Sequence, residues 1–116
     1  MCMAFEFTNK DIISFNQEFE DGALHNEASL DFAISYAKRS ENWTKSLAFL
    51  TRAILLDHVF QEGNKRTAAL LIKAYAEFRG FKTHDDKLLN AIKLIIAKKI
   101  TDVIRIEEMV KDVINN

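Results

Sequence analysis

The 116-residue sequence has no proline, only three glycines and a single cysteine. Proline and glycine are the residues that interrupt helices most strongly, so their scarcity favours long uninterrupted helices. One cysteine cannot form a disulfide within the chain, which excludes a disulfide-stapled fold. The opening residues MCMAFEF are too short and too acidic for a signal peptide. We therefore expect a cytoplasmic location.

Long apolar runs and a charge excess of one sign are also missing. The longest apolar runs, such as AALLI at 68–72, fall far short of the roughly 20 residues that cross a bilayer. Sixteen basic residues against seventeen acidic ones give a net charge of -1, which provides no global positive field. Neither nucleic acid nor a membrane is expected as a partner, and any basic site must be local.

The apolar residues that are present recur at helical spacing, which predicts an all-α fold. The length, with 48% hydrophobic and 28% charged residues, is typical of one globular domain. We expect residues 1–116 to form a compact single-domain bundle of about six helices. The predicted helices are 9–21, 27–38, one beginning at 43, 64–78, one beginning near 83 and a short one around 106–113.

Polar residues and glycines mark the predicted ends of these helices. Asn9 is placed as an N-cap, Asn42 directly precedes the third helix, and Gly22 is placed as a C-terminal residue free to adopt a positive φ. Thr83 and Asp86, three residues apart, resemble a capping box at the start of the fifth helix. No repeat, low-complexity tract or interdomain linker is found.

The segment HVFQEGNKRTA at 58–68 places unusual chemistry between two apolar helices. Gly63 permits a turn, and Gly63 or Asn64 caps the next helix, whose first amides are predicted to be Lys65, Arg66 and Thr67. Such amides lack helical partners and bind anions. Lys65 and Arg66 place two positive charges at this end, and each destabilises the helix by about 0.3–1 kcal/mol. A bound phosphate would make both charges stabilising.

The other side chains of the segment complete a predicted Mg-nucleotide site. Glu62 is a hard oxygen ligand of the type that holds Mg²⁺ with nucleotide phosphates, which predicts ATP or another nucleoside triphosphate as ligand. His58 is the candidate general base, since histidine accepts a proton from a hydroxyl near neutral pH. Phe60 is expected to anchor the loop in the core. Thr67 either donates to a phosphate or bonds back to its helix.

The residues HVFQEGNKR are similar at every specified position to the Fic/Doc family signature, HxFx(D/E)(G/A)N(G/K)R. Such a match arises by chance in roughly one chain in a million. The resemblance implies transfer of part of a nucleotide, in most members AMP, to a Ser, Thr or Tyr hydroxyl of a target protein. It also implies the following roles: His58 as base, Glu62 as the Mg²⁺ ligand, Gly63, Asn64 and Lys65 as phosphate loop, Arg66 as phosphate clamp and Phe60 as core anchor.

Two positions favour one branch of that family. Lys65 stands where the AMP-transferring branch has a second glycine, and Ala69 where it has a second arginine. The chain resembles the death-on-curing (Doc) toxins at both positions, and that resemblance implies a protein kinase that transfers the γ-phosphate. A translation factor is then a candidate target, and any restraint would come from a separate antitoxin chain. AMP transfer stays open as the alternative.

Two further features of Fic proteins have weak counterparts. Their inhibitory motif (S/T)xxxE(G/N) is approached by SFNQEF, with Ser14 and Glu18, but Phe19 departs from it, and the segment is interpreted as core of helix one. Residues 38–42 lie where the family has a target-docking flap and are short for that purpose.

The same residues allow other interpretations. His58 and Glu62 at i and i+4 would suit a transition metal on a helix face, but two ligands do not make a site. GNKRT lacks the first glycine of a P-loop. His25 is interpreted as an inert loop residue. A catalytically silent module that binds a nucleotide or a partner is the non-enzyme alternative.

Overall fold

The computed structural model describes residues 6–115 of the protein, which form six helices and one very short antiparallel pair of strands. The elements are α1 Asn9–Asn16, α2 Glu27–Arg39, α3 Trp43–Leu56, α4 Asn64–Phe78, β1 Lys82–Thr83, α5 Asp85–Lys98, α6 Val103–Val113 and β2 Ile114–Asn115. The predicted all-α bundle of six helices is confirmed. The Cα radius of gyration of 12.8 Å matches the roughly 13 Å expected of a compact chain of this length.

Helix α3 lies at the centre of the bundle and packs against α2, α4 and α6. Leu47, Leu50 and Ile54 follow one face at helical spacing and are completely buried. Leu71 of α4 and Ile106 of α6 pack into the same core. Helix α3 is therefore mostly buried. None of the helices within residues 6–115 is long and apolar enough to span a membrane.

Helix α1 differs from the prediction at both ends. Thr8 caps it instead of Asn9, because Asn9 donates its side-chain amide to Asp31 (2.6 Å). The helix ends at Asn16 and not at residue 21. The acidic residues that follow it would meet the negative end of the helix dipole. Phe19, predicted to lie on the buried face, is consequently 39% exposed.

The start of α5 also differs from the prediction. Thr83 belongs to β1 and pairs with Ile114, so the predicted capping box with Asp86 is wrong. His84 takes the N-cap position without a side-chain bond, and its backbone amide donates to the Val113 carbonyl at 2.9 Å. Pairing with the end of the chain therefore sets this boundary.

Helix α2 begins at Glu27 as predicted, whereas α6 begins at Val103, earlier than the predicted start around residue 106. Asn42 caps α3 by accepting from the amide of Lys45 at 3.1 Å. Gly22 has the expected positive φ, at +77°, but it lies beyond the end of α1, so its placement at a helix C-terminus is wrong. Gly80 follows Arg79, the C-cap of α4, with a φ of +89°. Between α2 and α3 only residues 40–42 remain, which is too short a connection for a docking flap.

Candidate functional site

The candidate site is built on the connection between α3 and α4. Helix α3 ends at Leu56, and His58 follows with a left-handed φ of +53°. Histidine is among the residue types enriched in this conformation, which still costs a non-glycine residue about 1–3 kcal/mol. The side chain of His58 is exposed. Because residues 57–63 are not helical, the alternative of His58 and Glu62 on one helix face is wrong.

Two side chains hold this loop in place. Phe60 is 1% exposed, which confirms its prediction as the core anchor. The side chain of Asn64 accepts from the Phe60 amide at 3.0 Å and donates to the Phe60 carbonyl at 2.8 Å. Asn64 therefore closes the loop with its side chain, and its free backbone amide is the group it can offer to a ligand.

Gly63 is the N-cap of α4 and has a φ of +78°. The first intrahelical bond runs from the Thr67 amide to the Gly63 carbonyl at 2.9 Å. The amides without a helical partner are thus those of Asn64, Lys65 and Arg66, one residue earlier than predicted. The shift arises because Gly63, and not Asn64, is the N-cap.

Thr67 takes the second of its two predicted roles. Its side chain is completely buried, and its hydroxyl donates to the Gly63 carbonyl at 2.8 Å. The same hydroxyl accepts from the side-chain amide of Asn16 at 3.0 Å. Thr67 therefore supports the first turn of α4 from inside and is not available to a phosphate.

A cavity of about 410 Å³, which we call the α4 cleft, opens at the start of this helix. It brings together six of the predicted site residues: His58, Glu62, Gly63, Asn64, Lys65 and Arg66. Its other lining residues are Glu20, Leu55, Gln61 and Ile96. The cleft therefore joins a polar rim, supplied by one stretch of sequence, to apolar walls from α3 and α5.

The two cations of the cleft form no ion pair with Glu20 or Glu62, the carboxylates that line it. Lys65 and Arg66 are exposed, and neither forms an ion pair with any residue between 6 and 115. The guanidinium of Arg66 lies over the ring of Phe19, 5.7 Å from its centroid. Both charges therefore add to the positive end of the α4 dipole.

Asn16 is a positioning residue that the sequence interpretation missed. It is completely buried, and its side-chain amide donates to the Glu62 carbonyl at 2.8 Å as well as to Thr67. Its side-chain oxygen accepts from the Gly22 amide at 2.9 Å. A polar residue four positions after buried Ile12 was the available signal, since it falls on the apolar face of α1.

Glu20 also joins the site from outside the motif. A Cβ added to Gly63 would lie 2.8 Å from the Cγ of Glu20, so this side chain packs directly over the turn. Both the positive φ and this contact require glycine at position 63. Ser14 and Glu18 of the SFNQEF segment do not line the α4 cleft; Ser14 instead donates to the Asp11 carbonyl at 2.8 Å.

Comparisons of the chain with family models, curated proteins and solved structures found no match. The likeness to the Fic/Doc signature therefore rests on residues 58–66 alone. Within the part of the chain that the structure describes, no three side chains of His, Cys, Asp or Glu are grouped to hold a metal ion by themselves.

Proposed function

We propose that the protein transfers a phosphate-containing group from Mg-ATP to a Ser, Thr or Tyr hydroxyl of a target protein. The observation that carries the proposal is the composition of the α4 cleft. Unpaired helix amides, two cations that form no ion pair, two carboxylates and an imidazole all line one cavity of about 410 Å³. A turn between two core helices has no need of this combination.

The helix start supplies the anion site. The amides of Asn64, Lys65 and Arg66 and the α4 dipole attract negative charge, and the side chains of Lys65 and Arg66 strengthen the attraction. Without a ligand, these cations destabilise the helix end on which they lie. A triphosphate turns that unfavourable arrangement into a favourable one.

Glu62 would hold the magnesium ion. Mg²⁺ keeps several of its waters and usually takes one or two protein carboxylates together with the phosphates of the substrate. Glu62 is an exposed carboxylate beside an anion site and fits that requirement, so the lack of a larger ligand group does not oppose the assignment. When bound, the ion would offset negative charge on the phosphates.

His58 would act as the general base. Its exposed side chain lines the cleft beside Glu62, within the same cavity as the phosphate-binding groups. It would take the proton of the acceptor hydroxyl as the hydroxyl oxygen forms its bond to phosphorus. The bond from that phosphorus to the leaving group breaks in the same step, and ADP leaves if the γ-phosphate is transferred.

We favour the γ-phosphate over AMP as the transferred group. The α4 cleft has one arginine, Arg66, since Ala69 occupies the position of the second arginine of the AMP-transferring branch. Lys65 places a charged side chain where that branch has glycine, which changes the space for the triphosphate. Both differences match the Doc branch. A separate antitoxin chain is the partner that this assignment would imply.

Incubation with Mg²⁺, cell lysate and ATP labelled at either the γ or the α phosphate tests the proposal. We expect γ label in protein, and its loss in the His58→Ala variant with nucleotide affinity preserved. Transfer of α label would establish AMP transfer instead. Wild type that binds Mg-ATP and transfers neither label would contradict the proposal and favour a catalytically silent module.

A further inference from the structure

A second cavity of about 390 Å³ adjoins the α4 cleft, and we call it the His25 cavity. The two cavities share His58, Gln61 and Glu62, so the proposed base lies in the wall between them. The other lining residues of the second cavity are His25 and Phe60. His25 is thus brought next to the motif from a distant part of the sequence.

Backbone pairing fixes His25 in this place. Residues 23–26 run antiparallel to residues 59–61, with a bridge between Leu24 and Phe60. The His25 amide donates to the Val59 carbonyl at 2.7 Å, and the Gln61 amide donates to the Ala23 carbonyl at 3.0 Å. The loop that carries the base and the segment that carries His25 therefore form one short ribbon.

The imidazole of His25 is available to a ligand. The residue is exposed, and among residues 6–115 its side chain neither donates nor accepts a hydrogen bond. His25, His58 and Glu62 are not grouped closely enough to hold a metal ion. The imidazole can donate a hydrogen bond to an organic ligand or accept one from it.

The two cavities differ in charge. The α4 cleft contains Lys65, Arg66 and the free amides beside the carboxylates of Glu20 and Glu62, whereas the lining of the His25 cavity contains the carboxylate of Glu62 and no lysine or arginine. A triphosphate therefore belongs in the α4 cleft. A neutral hydroxyl with its flanking peptide can enter the His25 cavity and still meet His58.

We infer that the His25 cavity receives the acceptor segment of the target protein and that His25 hydrogen-bonds to that segment. The inference rests on the proposed function. The hydroxyl proton passes to His58 from this side, and the hydroxyl oxygen bonds to the phosphorus held in the α4 cleft. The bond between that phosphorus and the leaving ADP breaks, so donor and acceptor approach the base from different cavities.

The His25→Phe variant tests the inference, because phenylalanine keeps the ring and removes its hydrogen bonds. His84→Phe is the matched control, since His84 is an exposed histidine that lines neither cavity. The extent of protein labelling by γ-labelled ATP is measured as the concentration of lysate protein is varied, at saturating Mg-ATP. The affinity for Mg-ATP is measured in a separate titration. Helical content by circular dichroism checks that both variants are folded.

We expect His25→Phe to need roughly three- to tenfold more lysate protein for half-maximal labelling, as the loss of one hydrogen bond implies. Its Mg-ATP affinity should equal that of the wild type, His84→Phe should behave as the wild type in both measurements, and His25→Gln should recover part of the loss. Unchanged labelling by His25→Phe would overturn the inference but not the proposed function. A loss of Mg-ATP affinity that accompanies the loss of labelling would do the same. Wild type that labels nothing would remove the proposed function, and the inference with it.

Discussion

At the scale of single residues, Gly63 shows how one position can satisfy two demands. Its φ of +78° lies in the region that side chains rarely adopt, and the Glu20 side chain covers the place of a Cβ. This turn directs the first backbone amides of α4 into the cleft. The backbone conformation at position 63 and the packing of Glu20 therefore both favour glycine, which is the residue of the motif at this position.

Gly80 offers the matched comparison for a substitution at Gly63. Gly80 has a φ of +89°, but nothing lies within 4 Å of an added Cβ. Gly80→Ala should lower the free energy of unfolding by about 1–2 kcal/mol through the left-handed backbone alone. Gly63→Ala should cost more, because the side chain of Glu20 must also move. Urea denaturation of both variants measures the difference, and equal losses would show that Glu20 does not pack on the turn.

At the scale of secondary-structure elements, one buried amide joins α1 to the start of α4. Asn16 bonds to the Glu62 carbonyl, the Thr67 hydroxyl and the Gly22 amide at once. The loop that carries His58 and Glu62 is therefore held by Asn16 of α1 as well as by the core anchor Phe60. The end of α1 and the geometry of the cleft depend on the same side chain.

Replacement of Asn16 by alanine should affect both stability and binding. It leaves three buried or part-buried polar groups without their partner, so we expect a loss of about 1–3 kcal/mol in the free energy of unfolding. Mg-ATP affinity should fall as well, since the Glu62 backbone is released. Asn9→Ala is the control, because Asn9 bonds only at the surface to Asp31. Unfolding in urea and titration with Mg-ATP check the two effects, and a stable variant with wild-type affinity would contradict this role.

A contact between α3 and α6 should make the free energy of unfolding depend on pH. Glu107 of α6 is buried and accepts from the Thr44 hydroxyl of α3 at 2.6 Å, with Lys111 at 3.6 Å. Burial raises the pKa of Glu107, but the hydrogen bond from Thr44 and the charge of Lys111 together outweigh it, so its pKa lies below the ordinary value of 4.5. The contact therefore stabilises the fold above that pH and is lost as the pH falls through the lowered value.

Glu107→Gln removes this titration and is the variant that tests it. The wild type should lose more stability than Glu107→Gln between neutral pH and a pH below the ordinary glutamate value. Urea midpoints at the two pH values give the comparison. Equal acid losses in both proteins would show that Glu107 does not contribute to the pH dependence.

At the scale of the whole molecule, the six helices could be predicted because each carries an apolar face at regular spacing. The start of α5 could not, since it depends on pairing of Thr83 with Ile114, far along the chain. The motif residues of the site are contiguous and were visible in sequence. Asn16, Glu20 and His25 reach the site only through folding. The place of Asn16 on the apolar face of α1 indicates a buried polar side chain, but not the groups to which it bonds.

The central claim is that the start of α4 holds the phosphates of Mg-ATP. The claim joins the fold to the proposed chemistry, because α3, α1 and the loop with Phe60 all serve to present this helix end. Charge near the cleft is local in a chain of net charge -1. Removal of a charge within the cleft should therefore matter far more than removal of the same charge elsewhere.

Calorimetric titration with Mg-ATP measures this claim most directly. Wild type should bind one nucleotide, and Arg66→Ala should bind it roughly tenfold or more weakly, since a charge-assisted hydrogen bond is lost. Lys38→Ala, which removes an exposed positive charge of α2 outside the cleft, should bind as the wild type. Wild type without measurable binding, or an Arg66→Ala affinity equal to that of Lys38→Ala, would contradict the account.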